Sequence, residues 1–473
     1  MIDAKRMSNP NSINPNLIAA LRDLFGDALL TDPGECLAYG YDNSRRRATP
    51  AAVVLPDNAD QLQRLVQLCR EHQMPITARG RGTNTTGASV PVEGGVVVSF
   101  ERMNRILRIS PDDRVAVVEP GVLNGDLQTA LSEHGLFWPP DPTSAPYSSV
   151  GGNLACNAGG PRAVRWGSSR DNVLGLVAIT GCGERIRCGA PTSKDSTGYD
   201  LSRLVVGSEG TLALIVEASL KLSAKPESRR SLRALYRDTE SAARAVGQLM
   251  IQAELPSALE FMDAEAVRLA RERGGADIPD AGALLMIEVE SAEGAVDAAR
   301  DALETAARND GLIAIDRADD AQQRESLWAA RRALSPALRS VAPGKINEDV
   351  VVPVSRLAEL VTRLQIFAQR HDTHVVSFGH AGNGNLHVNL LHDPADTAQT
   401  QRALACLDDV FATVIELGGT LSGEHGIGLA KRDWMARAFD ADTLATMRRV
   451  KAAFDPDGIL NPGKVLPPAD SAT

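Results

Sequence analysis

The chain has 473 residues, of which 43% are hydrophobic, and this length predicts two or three domains rather than one core. Sixty acidic against fifty basic residues give a net charge of -10, which disfavours nucleic-acid binding because a phosphate backbone is also negative. No apolar stretch reaches the roughly 18 residues of a membrane span. The N-terminus also lacks an apolar signal segment, so we expect a cytoplasmic protein. Six cysteines without a C-x-x-C pair disfavour an iron–sulfur cluster on this chain.

Short strands and helices alternate in the first part of the chain. Strands are predicted at residues 53–55, 75–78 and 96–98, and an amphipathic helix with Asp57 as its N-cap follows the first of them. The stretch 141–160 is rich in Pro, Ser, Gly and Asn, and is predicted to be a ligand-wrapping loop without regular structure. Two further strands are predicted at 174–179 and 211–216.

The composition changes after Lys225-Pro226. Helical stretches rich in Ala, Arg and Glu, such as 292–308, then alternate with short strands, such as 284–289. Because a change of pattern at a proline often marks a domain boundary, we place one there.

Two glycine-rich loops lie between the early strands, at 79–87 and 148–160. Their small residues leave backbone N–H groups free to bind a pyrophosphate. The first is not a dinucleotide-binding Rossmann loop, because its third glycine is misplaced and no amphipathic helix follows. One such loop is more often a simple turn, but two, followed by a third piece at 196–212, favour a shared ligand.

These loops, with the closing segment 454–464, resemble the FAD-binding domain of the vanillyl-alcohol oxidase/PCMH flavoprotein superfamily. The resemblance implies an α+β protein: a PCMH-type two-subdomain FAD-binding domain, then an α+β substrate domain with an antiparallel sheet and a C-terminal helical segment. The implied domains are an N-terminal segment 1–48, an FAD-binding domain 49–226, a substrate and metal domain 227–440, and a C-terminal segment 441–473 that returns to the FAD domain.

The same resemblance implies FAD as cofactor. The attachment is expected to be non-covalent, because the loop at 79–87 contains neither the histidine nor the cysteine to which some members link the flavin. The implied FAD-binding residues are Arg79, Gly80, Arg81, Gly82, Thr83, Asn84, Thr85, Gly87, Pro140, Ser148, Gly151, Gly152, Asn157, Gly159, Gly210, Ile215 and Asn461.

A second group of polar residues lies near the C-terminus. Residues 378–390 read as a strand, a glycine-bearing turn and a strand, in which His380 and His387 can converge while His387 and Asn389 share one face. Glu424 follows on a loop. Two imidazoles and a carboxylate suit zinc, with manganese or iron as alternatives.

This pattern is similar to that of the D-lactate and D-2-hydroxyglutarate dehydrogenase branch of the superfamily. The similarity implies that His380, His387 and Glu424 bind the metal, that Asn389 contacts substrate and that His425 is the general base. By the same resemblance, the substrate carboxylate is expected at Arg331, Ser335 and Lys345, although arginine pairs on a helix are usually solvated.

The implied function is oxidation of a D-2-hydroxy acid, with electrons passing to a quinone, a cytochrome or an electron-transfer flavoprotein. Through such an acceptor the protein is expected at the periphery of a membrane. A homodimer is one of the oligomeric states that the sequence leaves open. Two alternatives remain: a glycolate-oxidase-like subunit that works with an iron–sulfur partner, and a flavin-free metal hydrolase using His380, His387 and Glu424.

Overall fold

The computed structural model describes residues 13–273 and 277–468, without the side chains of residues 330, 333 and 335. Within these residues the chain forms two compact units. The first contains the described residues up to Gly159, the segment Ser168–Lys225 and the residues from Glu424 onward. The second contains Gly160–Gly167 and Pro226–Gly423.

The first unit is built from short strands and helices. Its strands are β1 (Leu29–Leu30), β2 (Ala52–Val54), β3 (Ile76–Arg79), β4 (Val96–Ser99), β5 (Ile106–Ser110), β6 (Val115–Val118), β7 (Leu136–Phe137), β8 (Val173–Thr180), β9 (Arg185–Gly189), β10 (Ala213–Lys221) and β11 (Ser223–Ala224). Its helices are α1 (Pro15–Phe25), α2 (Pro33–Leu37), α3 (Ala59–Glu71), α4 (Asn124–Ser132), α5 (Val150–Cys156), α7 (Leu201–Val205), α14 (Met435–Ala438) and α15 (Ala441–Phe454).

Two sheets form the framework of this unit. One has the order β1-β2-β4-β3, with β2, β4 and β3 parallel, and the other has the antiparallel order β5-β6-β10-β8-β9. The valines of β4 are fully buried, as expected for a parallel strand covered on both faces. Helix α3 buries Leu62, Leu65, Val66 and Cys69 against the first sheet, which confirms the predicted amphipathic face.

The start of α3 was predicted one residue too early. Asn58, not Asp57, is the N-cap, because its side-chain oxygen accepts a hydrogen bond of 3.0 Å from the N–H of Gln61. The N–H of Asp57 instead donates to the Gln61 side chain at 2.8 Å. Asp57 and Asn58 are both good capping residues, and Asn58 is the one that lies three positions before the N–H group it accepts from.

The prediction that 141–160 lacks regular structure was wrong in its middle. Helix α5 lies there, with the Ser149 side chain accepting from the N–H of Gly152 and with Asn157 closing the helix in the left-handed conformation at φ 53°. Val150 and Leu154 are fully buried on its inner face. This burial and the cap offset the low helix propensity of two glycines.

The second unit is built on one antiparallel sheet. Its strands are β12 (Ser228–Tyr236), β13 (Ala258–Asp263), β14 (Ala283–Ser291), β15 (Leu312–Ala318), β16 (Gly344–Val351), β17 (His374–His380) and β18 (Asn385–His392), in the order β15-β12-β14-β13-β17-β18-β16. Its helices are α6 (Ala163–Trp166), α8 (Thr239–Leu249), α9 (Ala264–Glu272), α10 (Val296–Ala307), α11 (Ala321–Val341), α12 (Leu357–Arg370) and α13 (Thr397–Glu416). The antiparallel sheet and the helical end of the chain confirm the predicted α+β class.

Helices α9 and α11 cover one face of this sheet. Leu334 and Leu338 of α11 pack with Met262, Met286 and Phe378 from three strands. Side chains directly opposite one another on paired strands lie on the same face, and side chains two positions apart on one strand do so too. Glu260 and His380, which are paired between β13 and β17, therefore lie on the same face as Met262 and Phe378 of this core. None of the helices in the described ranges is long and apolar enough to cross a bilayer.

Candidate functional site

The predicted hairpin is present and brings two histidines together. His380 ends β17 and His387 lies in β18, joined by a tight turn in which Gly384 has the left-handed φ of 68°. The two imidazole rings have their centroids 5.2 Å apart at an angle of 86°. Both side chains are buried, so their ring nitrogens meet in a region from which most water is excluded.

Glu424 completes a three-residue group with these histidines. One ligand atom from each of His380, His387 and Glu424 lies within 4.8 Å of the others. Glu424 directly follows Gly423, the last residue of the second unit, whose N–H donates to the carboxylate of Asp349 at 2.7 Å. Asp349 is fully buried and lies opposite His387 on the neighbouring strand. The sheet therefore fixes the backbone immediately before Glu424.

A buried carboxylate supports His380 from behind. Glu260 of β13 lies opposite His380, is fully buried and forms a hydrogen bond with its Nδ1. Burial alone would raise the pKa of Glu260, but the charges of His380 and Arg331 outweigh it and bring the pKa to about 2. A carboxylate on one ring nitrogen orients the other nitrogen toward a metal, as in many metal-binding histidines.

Arg331 of α11 is held by the same carboxylate. Its Nε donates to Glu260 at 2.9 Å, and its guanidinium carbon lies 4.5 Å from the centre of the Phe378 ring. Among the described side chains no acceptor lies within hydrogen-bond distance of its two terminal nitrogens. The guanidinium is therefore fixed by one edge while the other edge keeps the fork geometry that matches a carboxylate.

The remaining predicted substrate residues are placed differently. Asn389 is fully buried, and its amide donates to the carbonyls of Val376 and His387 at 3.3 and 3.2 Å. The Lys345 ammonium donates to the Asn389 side-chain oxygen at 3.4 Å. Ser335 is one of the residues whose side chain lies outside the described part of the structure.

In the first unit, the loop 79–87 follows β3. Among the described residues no protein acceptor is found for the backbone N–H groups of residues 80–85, which are therefore available to an anion. The Asn84 side-chain oxygen shapes the loop by accepting from the N–H groups of Thr86 and Ala88 at 2.9 and 3.1 Å. Its amide donates to the carbonyl of His425 at 3.0 Å, so the loop also holds the backbone of the predicted base.

The Arg79 side chain packs beneath this loop. Its guanidinium is buried and donates to the carbonyls of Tyr41 and Ala38 at 2.6 and 3.3 Å. A Cβ at Gly82, which has the left-handed φ of 65°, would lie 2.4 Å from that guanidinium. Arg79 therefore supports the loop from beneath, and Gly82 allows the close approach.

Several buried polar atoms in and beside the two glycine-rich loops have no hydrogen-bond partner among the described residues. The side-chain hydroxyls of Thr85 and Ser148 and the amide nitrogen of Asn153 are buried without a partner among the described residues. Buried polar groups are normally paired, so orphaned atoms on the first loop, on the second loop and on helix α5 fit a polar ligand. Gly80 approaches the second loop so closely that a Cβ would lie 2.5 Å from the Ser149 hydroxyl. These loops and free N–H groups fit the pyrophosphate of FAD.

Other predicted FAD-binding residues form hydrogen bonds that connect separate segments of the first unit. The Asn157 side chain accepts from the N–H of Arg170 at 2.9 Å, and the Pro140 carbonyl accepts from the Asn124 amide at 3.0 Å. The carbonyl of Gly159 accepts from Asp141, also at 3.0 Å. The others are Arg81, Thr83 and Gly87 in the first loop, Gly151 and Gly152 in helix α5, Gly210 in the turn before β10, and Ile215 in β10.

Comparison with known proteins identifies the family. Residues 225–465 match the sequence model of the C-terminal domain of FAD-linked oxidases, and residues 50–189 match that of an FAD-binding domain. The chain belongs to the FAD-linked oxidases. This confirms the resemblance, the FAD cofactor and the assignment as an oxidoreductase, and it disfavours the flavin-free hydrolase.

Relatives of this FAD-linked oxidase cover nearly its whole length. The glycolate oxidase subunit GlcD of Bacillus subtilis (strain 168) is 38% identical over 91% of this chain and 92% of that protein. A D-lactate dehydrogenase of Anaerostipes hadrus is 35% identical over 96% of this chain and 98% of that protein. Among solved structures, p-cresol methylhydroxylase with bound substrate has a TM-score of 0.79 at 18% identity, over 96% of this chain and 98% of that one. This likeness confirms the predicted PCMH-type fold.

Several residues that organise this FAD-linked oxidase were not predicted. Glu260 supports His380 and Arg331, Asp349 holds the segment before Glu424, and Glu209 accepts from the backbone just after His425. Each is an acidic residue whose side chain is almost completely buried. An acidic residue within an apolar strand, as in the sequence ALEFMD around Glu260, is the signal that could have found it, because a buried charge needs a partner.

Proposed function

We propose that the chain oxidises a D-2-hydroxy acid to the 2-oxo acid, with non-covalent FAD as electron acceptor and a divalent metal at His380, His387 and Glu424. Zinc is the first choice for this donor set, with manganese and iron as alternatives. Support comes from the family and from a relative named D-lactate dehydrogenase.

One observation carries the metal part of the proposal. Two buried imidazoles and a carboxylate offer ligand atoms within 4.8 Å of one another, and a second carboxylate, Glu260, bonds the outer nitrogen of one imidazole. This donor set and its close spacing suit a divalent metal, and a carboxylate on the outer nitrogen of a ligating histidine is typical of metal sites. A divalent metal at these residues would supply positive charge that lowers the pKa of a substrate hydroxyl.

The side chains around this group divide the remaining tasks. His425 accepts the hydroxyl proton, and Arg331 binds the substrate carboxylate through its two terminal nitrogens, with Lys345 and Ser335 as further contacts. Asn389, itself fully buried, acts through Lys345 and the His387 backbone. When bound, FAD is the acceptor of the hydride from the substrate carbon. That hydride carries two electrons and one proton, and the remaining proton, from the hydroxyl, is taken by His425.

The electrons then pass to an external acceptor. A quinone, a cytochrome or an electron-transfer flavoprotein would serve, and the first two would bring a cytoplasmic protein to the surface of a membrane. The chain is also proposed to form a homodimer, which a measurement of the molecular mass in solution would test.

Anaerobic reduction of the bound flavin tests this proposal. Purified protein is mixed with D-lactate, D-2-hydroxyglutarate or glycolate, and with the L-isomers of the first two, with and without chelator. We expect the D-isomers to bleach the flavin and the chelator to abolish bleaching. Reduction by the L-isomers alone, or full reduction after proven metal removal, would contradict the proposal.

A second candidate is favoured by the relative named glycolate oxidase subunit GlcD, which is 38% identical to this chain. In that case the chain would pass electrons to an iron–sulfur partner subunit. Full turnover of the isolated chain with an artificial dye would count against this candidate. Turnover that appears only when a partner is co-purified would favour it.

A further inference from the structure

The loop that follows the predicted metal ligand Glu424 is fixed by backbone hydrogen bonds. We define the 425–430 loop as these six residues. The carbonyl of His425 accepts from the side chains of Asn84 and Thr86 at 3.0 and 3.4 Å. The carbonyl of Thr86 accepts from the N–H groups of Leu429 and Ala430 at 2.8 and 3.1 Å. Both ends of the loop are therefore attached to the same glycine-rich loop of the first unit.

The centre of the 425–430 loop is held by one carboxylate. Glu209 accepts from the N–H of Ile427 at 2.6 Å through one oxygen and from the N–H of Gly428 at 2.9 Å through the other. Two parallel hydrogen bonds to one charged group restrict the orientation of a turn more strongly than two bonds to separate water molecules. The side chain of Glu209 thus holds both N–H groups at the centre of the turn.

The position of Glu209 is itself tightly specified. Its side chain is almost completely buried, and its backbone has the left-handed φ of 53°. The Asn461 amide donates to its carbonyl at 2.7 Å, and the ammonium of Lys464 donates to the Asn461 side-chain oxygen at 3.1 Å. Burial raises the pKa of Glu209 to about 7, against the opposing effect of the N–H groups and of Lys464 and Lys431. A carboxylate is costly in such a place, so a specific role is expected.

The glycines of the loop match this arrangement. Gly426 and Gly428 have φ values of 83° and 51°. A Cβ at Gly426 would lie 2.5 Å from a Glu209 oxygen, and one at Gly428 would lie 2.4 Å from the Thr86 carbonyl. The loop therefore lies directly against its acceptors, with no space for an intervening side chain.

We propose that Glu209 is a positioning residue: by holding the turn at Ile427 and Gly428, it orients the side chains of Glu424 and His425. The proposal rests on the function proposed above, because it gives those two side chains their roles. Glu209 acts only through the backbone and does not contact substrate.

The experiment compares Glu209→Gln with Glu93→Gln. Glutamine keeps the size of the side chain but presents an amide donor to one of the two N–H groups. Glu93 is an exposed residue that also faces Lys464, so its substitution removes a charge there without touching the loop. Three quantities are measured: the flavin reduction rate at saturating substrate, the metal dissociation constant, and amide hydrogen exchange of the peptide containing 424–430.

For Glu209→Gln we expect unchanged FAD content, faster exchange at Ile427 and Gly428, a metal affinity about 10-fold weaker and a reduction rate about 10- to 100-fold slower. The substrate KM should change little, and Glu93→Gln should behave as wild type. Faster exchange with wild-type rate and metal affinity would overturn the proposal, because the contact would then be only structural. Wild-type exchange would overturn it as well.

If Glu209→Gln does not fold, Gly426→Ala provides the second test, because its methyl group displaces the carboxylate while the charge remains. The same three changes are expected, and their absence would overturn the proposal. Failure of the proposed function is recognised separately, since wild-type protein would then neither bind metal nor be reduced by any hydroxy acid.

Discussion

Glu260 and Glu209 are both buried, yet their surroundings move their pKa values in opposite directions. Burial would raise the pKa of Glu260, but the adjacent charges of His380 and Arg331 outweigh burial and lower it to about 2. Burial raises the pKa of Glu209 to about 7, although the N–H groups of the turn at 427–428 and two lysines act against it. Cationic side chains that contact the carboxylate of Glu260 thus offset the effect of its burial more completely than backbone N–H groups and more distant lysines do for Glu209.

The two carboxylates therefore represent two ways of building a site. In the second unit, a sheet face gathers charged side chains that support one another. In the first unit, glycine-rich loops present backbone N–H groups, and the side chains mainly hold the loops in place. Substitutions on the sheet face are expected to affect metal and substrate, whereas substitutions in the glycine-rich loops 79–87 and 148–160 should affect FAD binding. Glu209 supports the separate 425–430 loop, so its substitution is expected to act on metal affinity and rate instead.

The largest effect is expected from the sheet face, for His387→Ala. Loss of a metal ligand should reduce metal content and slow flavin reduction on the order of 1,000-fold, equivalent to about 4 kcal/mol of activation free energy. Metal analysis and rapid mixing measure the two quantities. His134→Ala, at an exposed histidine of the first unit, is the control. A variant with full metal content and wild-type rate would remove His387 from the site.

His425→Ala should have the next largest effect. Because the substitution removes the predicted proton acceptor but keeps the backbone carbonyl that Asn84 and Thr86 bind, FAD and metal should remain bound. We expect flavin reduction to slow by about 100-fold or more, the usual range for a positioned base. An unchanged reduction rate at every pH would show that another group accepts the proton.

Glu260→Gln tests the supporting carboxylate directly. It removes the charge that orients both His380 and Arg331, so the metal affinity should fall by about 10- to 100-fold. The matched control is Glu265→Gln, since Glu265 is also paired with a histidine, His374, and with an arginine, and its pKa is likewise lowered to about 2. Equal effects of the two substitutions on metal affinity would mean that the weaker binding comes from a general loss of protein stability and not from the contact of Glu260 with His380.

The role of Glu260 shows what the sequence could not specify. His380, His387 and Glu424 lie within 45 residues, and glycines with alternating polar residues indicated the hairpin that carries the two histidines. Glu260 lies 120 positions before His380 in the chain, and their contact depends on the pairing of β13 with β17. A single sequence does not specify which strands pair, or in which register.

The region of α5 shows a different kind of error. Glycines at 151 and 152 predicted a loop, but local composition was outweighed by the Ser149 cap and by the burial of Val150 and Leu154. The α+β class and the antiparallel sheet were predictable, because they follow from patterns repeated over many residues. Short elements depend on a few contacts that only the fold reveals.

A smaller effect is expected for Arg331→Lys. Lysine keeps the positive charge but not the fork that binds a carboxylate with two hydrogen bonds, so the substrate KM should rise by about 10-fold with little change in the limiting rate. Arg332→Lys is the control, because Arg332 is exposed and paired with Glu325. Steady-state kinetics over a range of D-lactate concentrations measure both constants. A change confined to thermal stability would assign Arg331 to the fold alone.

The smallest effect is expected in the glycine loops, where each side chain adds little to many backbone donors. Thr85→Ala removes one orphaned buried hydroxyl, and a typical hydrogen bond of about 1 kcal/mol corresponds to about 5-fold weaker FAD binding. The control is Thr129→Ala, whose hydroxyl bonds within α4 at the surface. Fluorescence titration of apoprotein with FAD gives both affinities. Tighter FAD binding by Thr85→Ala would show that the hydroxyl faces no ligand, since removing an unpaired buried group should then stabilise the loop.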